Sequence, residues 1–589
     1  MDRKPDVVDL LRELAELTTL DEQSPQAFRV RAYERAARAV ASLVGDIEAM
    51  GEKELIAVEG IGKSTAKKIR TFLDTGHLDQ LDRLREAYPP SVVALSQIPG
   101  IGPKAVDKLR RELGVTSIAA LRDALEGQRL RGLAGFGAKK EEKLKDTLER
   151  LGLGEAGTDG APSTPRRIAI AKAMPIAQRL IAALRARDDV RDAAYAGSLR
   201  RFQETIGDLD LLVVSEADPR PIMEWLTKLS MVDAVLVHGD KKTSVSTRKG
   251  LQIDMRVVAP HQYGAALLYF TGSKAHNVKL RQRALARGQT LNEYGLACAR
   301  TGATIAAETE EEIYHALGLD MIAPELREDA GEIEAAEAHR LPPPVGSVFG
   351  DLHVHTDLSG DGRSPLAEVV AAARARGYRY LAITEHAEDI PRQGVPRAQL
   401  AAQRAEIEAL SDDTLTVLHG AELNIGRDGS LDYDLDFRMS LDWCLASIHS
   451  HFDLPRDAQT QRLIRAMEDP SVQMIGHLTG RTIGKRPPVD LDLDAIFDAA
   501  ERTETALEVN CGLPRLDVSV DILRRARDRD VVFIMTSDAH HHRELMRMDW
   551  GRIHCRRAWL DPARIVNTWS RERFMSWRQR KRARRGLGS

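Results

Sequence analysis

Apolar residues recur at three- and four-residue spacing through the first 155 residues, as in VVDLLRELAEL and FRVRAYERAARAVASL, with polar residues between them. This is the period of one face of an α-helix, so the region is predicted to be helix after helix. EAGTDGAPSTP (155–165) breaks the pattern and reads as a linker. From 166 to 325 helical stretches mix with short apolar runs, AAYAG, LDLLVV, DAVLVH and LQIDMRVV, which predict strands. A charged segment and Pro342-Pro343-Pro344 then mark another boundary. Over 348–572, strand-like pieces (YLAIT, LTVLHGAEL, MIGHL, ALEVN, VVFIMTSD) alternate with helical ones (SPLAEVVAAARARG, VDILRRARDRD). That alternation predicts an α/β domain with a largely parallel sheet. The tail SWRQRKRARRGLGS is a basic run, expected to be solvated and disordered, or to touch nucleic acid.

At 589 residues the chain is too long for one core and predicts several domains. A composition of 43% hydrophobic and 29% charged residues fits a globular protein. No apolar run reaches about 18 residues, and MDRKPDVVDLLREL lacks the pattern of a signal peptide, so the expected location is the cytoplasm, at the nucleoid, with no membrane contact. Four widely spaced cysteines exclude a disulfide framework and a thiolate zinc site, leaving His and carboxylate as metal ligands. A net charge of −3 confines any nucleic-acid binding to local patches.

Three short signatures repeat in the helical region: Gly60-Ile61-Gly62, Gly100-Ile101-Gly102 and Gly135-Phe136-Gly137, each between two helical patterns. The first also satisfies a permissive P-loop pattern, Ala57-x4-Gly62-Lys63-Ser64, but EKELIAV before it is helical in character and the sister copies lack Lys-Ser. A dinucleotide fingerprint fails for the same reason and for want of a third glycine. The repeats resemble helix-hairpin-helix modules, in which backbone N–H groups meet a DNA phosphate without reading bases. Lys63, Lys104 and Lys139 would add charge.

GSLRRFQETIGDLDLLV (197–213) places Asp208 and Asp210 on one face of a strand, roughly 6 to 7 Å apart. Such a pair repels unless a cation sits between, and hard oxygen ligands suit Mg²⁺ or Mn²⁺. Gly197-Ser198 is expected to form a tight turn that cradles phosphate, with Arg200 and Arg201 nearby. Asp254 in LQIDMRVV would complete a three-carboxylate cluster on an adjacent strand, as two-metal phosphoryl transfer requires.

GSLRR…GDLD, QID and YFTGSKAHN together resemble the family X DNA polymerases of the polymerase beta type, over roughly residues 1–325. The resemblance implies that Asp208, Asp210 and Asp254 bind the catalytic metals. It also implies nucleotide contacts from Gly197, Ser198, Arg201, Gly207, Tyr269, Phe270 and Gly272, with Asn277 and Arg281 at the minor groove. Lys274 and Ala275 stand where the mammalian enzyme has an acidic residue over the base. Lys68 aligns with the Schiff-base lysine of the family's 5′-deoxyribose phosphate lyase and Tyr33 with a tyrosine beside it, while Ser64 replaces a lysine of that pocket. Lys63, Lys67 and Arg70 are the expected sources of the charge that would lower the Lys68 pKa, and the alternative role for Lys68 is a plain phosphate contact.

Of 17 histidines, 11 lie from His353 onward. His353, His355, Asp361, His386, Glu422, His449, His477, Asp538 and His540 mostly fall where an apolar strand ends, the edge at which parallel α/β folds collect functional groups. Imidazole with carboxylate suits Zn²⁺, Mn²⁺ or Fe. The ordered set resembles the PHP (polymerase and histidinol phosphatase) domain, a (β/α)₇-type barrel with three ions. By that similarity His353, His355, Glu422 and Asp538 hold one ion, Glu422, His449 and His477 a second, and Asp361, His386 and His540 a third. His451, His541 and His542 match no ligand position and are expected at the surface.

The expected organisation is a helical domain with the first hairpin (1–85), a helical DNA-binding subdomain with two more (86–155), an α+β nucleotidyltransferase palm (166–260), a nucleotide-selecting subdomain (261–325), a linker (326–347), the PHP phosphoesterase (348–572) and a basic tail (573–589). The expected protein is a monomeric, templated DNA polymerase that takes dNTPs, fills gapped or nicked duplex DNA in repair, and trims 3′ ends with the PHP site. Alternatives are a non-templated nucleotidyltransferase with a small-molecule phosphatase domain, or a DNA-binding scaffold with inactive sites.

Overall fold

In the computed structural model, residues 3–41, 43, 47–96, 98, 100–133, 135–150 and 167–585 are described. They form two compact units, 1–165 and 166–589. The linker expected at 155–165 lies outside the described residues.

The first unit is helical, as its periodicity predicts, with two cores built by the apolar stripes. Helices Lys4–Asp21, Phe28–Ala41 and Lys63–Thr75 bury Leu11, Leu14, Val40 and Ile69 in one; Pro103–Leu113, Ile118–Glu126 and Ala138–Arg150 bury Leu109, Leu121 and Leu144 in the other. EKELIAV contains the helix Glu52–Ala57 rather than the strand a P-loop needs. The three hairpins share one geometry. Their first glycines, Gly60, Gly100 and Gly135, have φ of +99°, +96° and +89°, conformations L side chains rarely adopt. The middle residues Ile61, Ile101 and Phe136 are buried anchors. The next helix starts at Lys63, Pro103 or Ala138, leaving its first N–H groups without helical partners.

The second unit contains three regions in succession, each with its own main core. The palm is a five-stranded sheet in the order Asp192–Tyr195, Asp208–Val214, Gln252–Val258, Thr243–Thr247, Val232–His238, against helices Ile170–Arg185 and Pro219–Thr227. Gly197–Arg200 is a single helical turn. Next come helices Tyr263–Thr271 and Lys274–Ala286, a three-stranded antiparallel sheet and the helix Glu310–Ala316, around a core containing Leu280, Leu296 and Tyr314.

The last core is a barrel of seven parallel strands in chain order: Gly350–Val354, Tyr380–His386, Thr416–Asn424, Trp443–Ser447, Met474–Gly476, Ala506–Asn510 and Phe533–Thr536. A parallel bridge between Val354 and Ala539 brings its two edges together and nearly closes it. Strands buried on both faces explain why these segments are continuously apolar.

Two segments differ from expectation. The 326–347 stretch contains the helix Glu332–Glu337, Arg556 donates to the Pro342 carbonyl at 3.2 Å, and Val345 is buried in the barrel core. Within the tail, Arg571–Arg585 is helical, and Phe574 and Trp577 are buried against Tyr380 and Trp443. Aromatics spaced i, i+3 share a helix face, so the apolar side of this basic run is anchored. Among the described residues no helix is long and apolar enough to cross a membrane.

Candidate active sites

Strands Asp208–Val214 and Gln252–Val258 pair in parallel with Asp210 opposite Asp254. Period-two alternation brings Asp208 to the same face, and one oxygen from each of the three carboxylates lies within 4.8 Å of the others. Burial, then Asp208 and Asp254, push the Asp210 pKa up to about 7. Such mutual repulsion is the electrostatic signature of a site that divalent cations complete, so the donor set fits Mg²⁺ or Mn²⁺. Lys242 Nζ stands 2.5 Å from Asp254 Oδ2 and Gln252 donates to Oδ1 at 2.9 Å. Despite burial, these and Ser244 hold the Asp254 pKa below the usual carboxylate range.

Ser198 is half-buried in the turn that begins at Gly197, and Gly207 directly precedes the Asp208 strand. Arg201 pairs with Glu328 at 2.8 Å and donates to the Thr271 carbonyl, and Arg200 pairs with Glu310 at 2.7 Å. Tyr269 and Phe270 lie in the last turn of the helix Tyr263–Thr271, just before Gly272, and the Arg256 guanidinium lies 4.4 Å from the Phe270 ring. Asn277 Nδ2 donates to the Tyr269 carbonyl at 2.8 Å, and Arg281 stands one helical turn further on, exposed. Lys274 is exposed at the start of that helix.

The barrel strands deliver the second set to one edge. His386 and Glu422 sit opposite each other on paired strands. Glu422 is central: Oε2 lies 3.4 Å from His353 Nε2, 3.6 Å from His355 Nε2 and 2.8 Å from His386 Nδ1, while Oε1 lies 3.2 Å from His449 and 3.0 Å from His477. Asp538 Oδ1 stands 3.6 Å from both His353 and His355, and Asp361 faces His386 at 3.5 Å and His540 at 3.2 Å. Three ion-sized groups overlap: His353–His355–Asp538, His355–His386–His540 and His386–Glu422–His449. They divide the residues differently from the family-based grouping, with His355 and His386 each shared by two groups. Nε2 of His353 and His355, Nδ1 of His386, Oδ1 of Asp361 and Oε2 of Glu422 are buried without a hydrogen bond. Each such atom costs about 1–3 kcal/mol unless a partner is supplied, so the set fits metal ions. Asp538 has φ of +47°, strain typical of functional sites. His451 is exposed, and His541 and His542 are half-buried outside the cluster, His542 facing Glu368 at 3.1 Å.

Sequence comparisons match four family models: a helix-hairpin-helix domain (2–78), a SAM-like helix-hairpin-helix tandem (92–150), the DNA polymerase beta thumb (266–328) and the PHP domain (351–511). The chain is 35% identical over 570 residues to the DNA polymerase/3′-5′ exonuclease PolX of Bacillus subtilis (strain 168), covering 96% of this chain and 97% of that protein. It belongs to the family X DNA polymerases that carry a PHP domain. DNA polymerase lambda of Rattus norvegicus is 25% identical over 332 residues, 51% of this chain and 52% of that protein. A probable phosphatase of Vibrio vulnificus (strain YJ016) is 27% identical over 237 residues, 38% of this chain and 91% of that protein.

In this family X polymerase, several residues that sequence reading passed over support the candidate ligands. Glu508 Oε1 faces His353 Nδ1 at 2.6 Å and accepts from Thr536 Oγ1 at 2.5 Å, while Oε2 accepts from the His477 amide. Asn424 Oδ1 faces His449 Nδ1 at 2.7 Å, and Asn510 Nδ2 donates to Asp538 at 3.0 Å. Partners of this kind fix imidazole tautomers. The available signal was a lone carboxylate inside ALEVN, the same anomaly that exposed Asp208.

At the first hairpin, Lys68 Nζ donates to Ser64 Oγ at 2.8 Å and lies 5.8 Å from the Tyr33 ring. Burial and then Arg29 lower its pKa. The cation acting on it is thus Arg29 rather than Arg70, which is held by Asp74 and the carbonyls of Glu48 and Met50. Lys63, Lys67 and Lys104 are exposed. Gly62 and Gly102 hold the N-cap positions, and Gly137 directly precedes its helix. Lys139 lies in the helix Ala138–Arg150, and its side chain is outside the described residues.

Proposed function

We propose that this family X polymerase fills short gaps or nicks in duplex DNA from dNTPs during repair, as a monomer in the cytoplasm, and that its PHP site trims 3′ ends. The observation that carries this reading is the presence of two separate cation-demanding clusters in one unit: three aspartates on paired palm strands, and nine imidazoles and carboxylates at one barrel edge.

Asp208, Asp210 and Asp254 would hold Mg²⁺ or Mn²⁺, and the nine barrel residues would hold three Mn²⁺, Zn²⁺ or Fe ions. Bound ions supply activation of the attacking oxygen and neutralisation of charge developing on phosphate. The protein does the rest. Ser198 and the turn at Gly197 face the triphosphate, and Arg201 must exchange Glu328 for phosphate to contribute. Tyr269, Phe270 and Gly272 shape the sugar pocket, while Asn277 and Arg281, on one helix face, meet the minor groove. The hairpin glycines and Lys63, Lys104 and Lys139 grip DNA phosphates. Lys68, with its lowered pKa, attacks the aldehyde of an incised abasic sugar.

A second reading, that the PHP site works as a phosphatase on small molecules, draws on the probable phosphatases, which match 38% of this chain or less. A labelled gapped duplex incubated with and without dNTPs, in Mg²⁺ and in Mn²⁺, beside a parallel assay of phosphate release from a small phosphate monoester, tests both. Gap-limited extension with dNTPs and stepwise 3′ shortening without them are expected. No extension, or phosphate release from small esters without DNA shortening, overturns the first reading.

A further inference from the structure

The barrel loop 512–518 belongs to two domains at once. Leu513 and Leu516 are buried in the palm core, among residues such as Ile170 and Ile206. Between them, Arg515 turns back toward the barrel edge, where its Nε lies 3.7 Å from Asp538 Oδ2 and its Nη1 is buried without a hydrogen-bond partner. Leu516 has φ of +40°, a strained conformation for a branched residue that persists only where the surroundings enforce it.

The enforcing contact comes from the palm. Glu204, four residues before Asp208, takes the guanidinium of Arg481 in a two-pronged pair at 3.1 and 2.8 Å. Arg481, itself 9% exposed, then donates from Nε to the Arg515 carbonyl at 2.9 Å and from Nη2 to the Leu516 carbonyl. A palm carboxylate thus holds a barrel arginine, which holds the two carbonyls that set where the Arg515 side chain points. Bidentate carboxylate–guanidinium geometry makes this a directional link.

We propose that Glu204 is a positioning residue for the phosphoesterase site. Through Arg481 it fixes Arg515 beside Asp538, where the accessible part of the guanidinium, on a side chain 26% exposed, meets the phosphate of the substrate strand. This rests on the reading that the PHP site hydrolyses phosphodiesters. The nuclease site is therefore complete only when the palm is docked on it.

The test uses the full-length protein with Glu204→Ala, Glu204→Gln, Arg515→Ala and the Glu204→Ala/Arg515→Ala double variant, beside His353→Ala. Three quantities are read: shortening of a labelled single-stranded oligonucleotide, gap filling, and amide exchange of segment 512–518 in metal-free protein. Glu204→Ala is expected to lower kcat/KM for shortening about ten-fold, mainly through KM, since small misplacements of a positioning group carry losses of this order or larger. Gap filling should stay at wild-type level, segment 512–518 should exchange faster, and Glu204→Gln should recover part of the loss. The double variant should be no worse than Arg515→Ala, because both act through one contact. Wild-type shortening in Glu204→Ala, losses that multiply in the double variant, or an equal fall in gap filling overturns the proposal. Shortening that persists in His353→Ala overturns the phosphoesterase reading instead, and the exchange measurement still decides whether Glu204 holds the loop.

Discussion

Gly197 and Asp210 are packed so closely that a Cβ on Gly197 would fall 2.2 Å from Asp210 Oδ2. Gly197 also has φ of +60°, a conformation that costs an L residue about 1–2 kcal/mol. The glycine of the GSLRR motif is thereby tied to the acid of the GDLD motif by space as well as by backbone. Gly197→Ala is expected to displace the Asp210 carboxylate and cut nucleotide addition by about 100-fold, the scale of a misplacement near 1 Å. Single-turnover extension of a gapped duplex measures it; a variant within a few-fold of wild type sinks the assignment.

Synthesis and degradation should separate. Asp208→Ala removes a palm carboxylate and should abolish nucleotide addition while leaving DNA affinity within a few-fold, because affinity rests on backbone amides and Lys/Arg. His353→Ala should do the reverse, ending 3′ shortening and sparing gap filling. Glu508→Gln keeps the shape but weakens the orienting contact to His353, so metal content measured after dialysis should fall about 10- to 100-fold in affinity. Unchanged metal retention would show that Glu508 does not orient His353.

Lys68 should form a borohydride-trappable adduct with an incised abasic duplex, lost in Lys68→Ala. Since burial and Arg29 lower its pKa, Arg29→Ala should raise it and move the rise of adduct yield with pH toward higher pH. An adduct unchanged by Lys68→Ala leaves Lys68 a DNA contact.

The palm is joined to the next core by Glu310, which pairs with Arg200 and with the fully buried Arg327. Although burial raises the Glu310 pKa, Arg327 and Arg200 bring it down to about 2. A carboxylate depressed in the folded state contributes stability that is complete above its unfolded pKa of about 4.3 and is lost as pH falls toward 2. Glu310→Gln leaves Arg327 buried without its counter-charge and should cost about 3–5 kcal/mol. Urea unfolding of this unit at pH 7 and pH 3 checks it: the gap between wild type and variant should shrink at the lower pH.

Much of this protein was legible from its residues. Helical and strand periods reflect which faces are buried, so the hairpin region, LDLLVV beside LQIDMRVV, and the apolar barrel strands were all readable. The candidate ligands stood out because a charge or imidazole in an apolar run needs a cause. What local pattern could not carry is which groups meet across long separations. Glu508 behind His353, Arg29 rather than Arg70 near Lys68, and Phe574 and Trp577 against Tyr380 and Trp443 are contacts fixed by packing, not spacing. The basic tail looked solvated because its charges dominate its composition, while two aromatics on one helix face decided its place. The same holds for Glu204 and Arg481, 277 residues apart: each is an ordinary surface-type residue in sequence, and only the docking of palm on barrel makes them a pair.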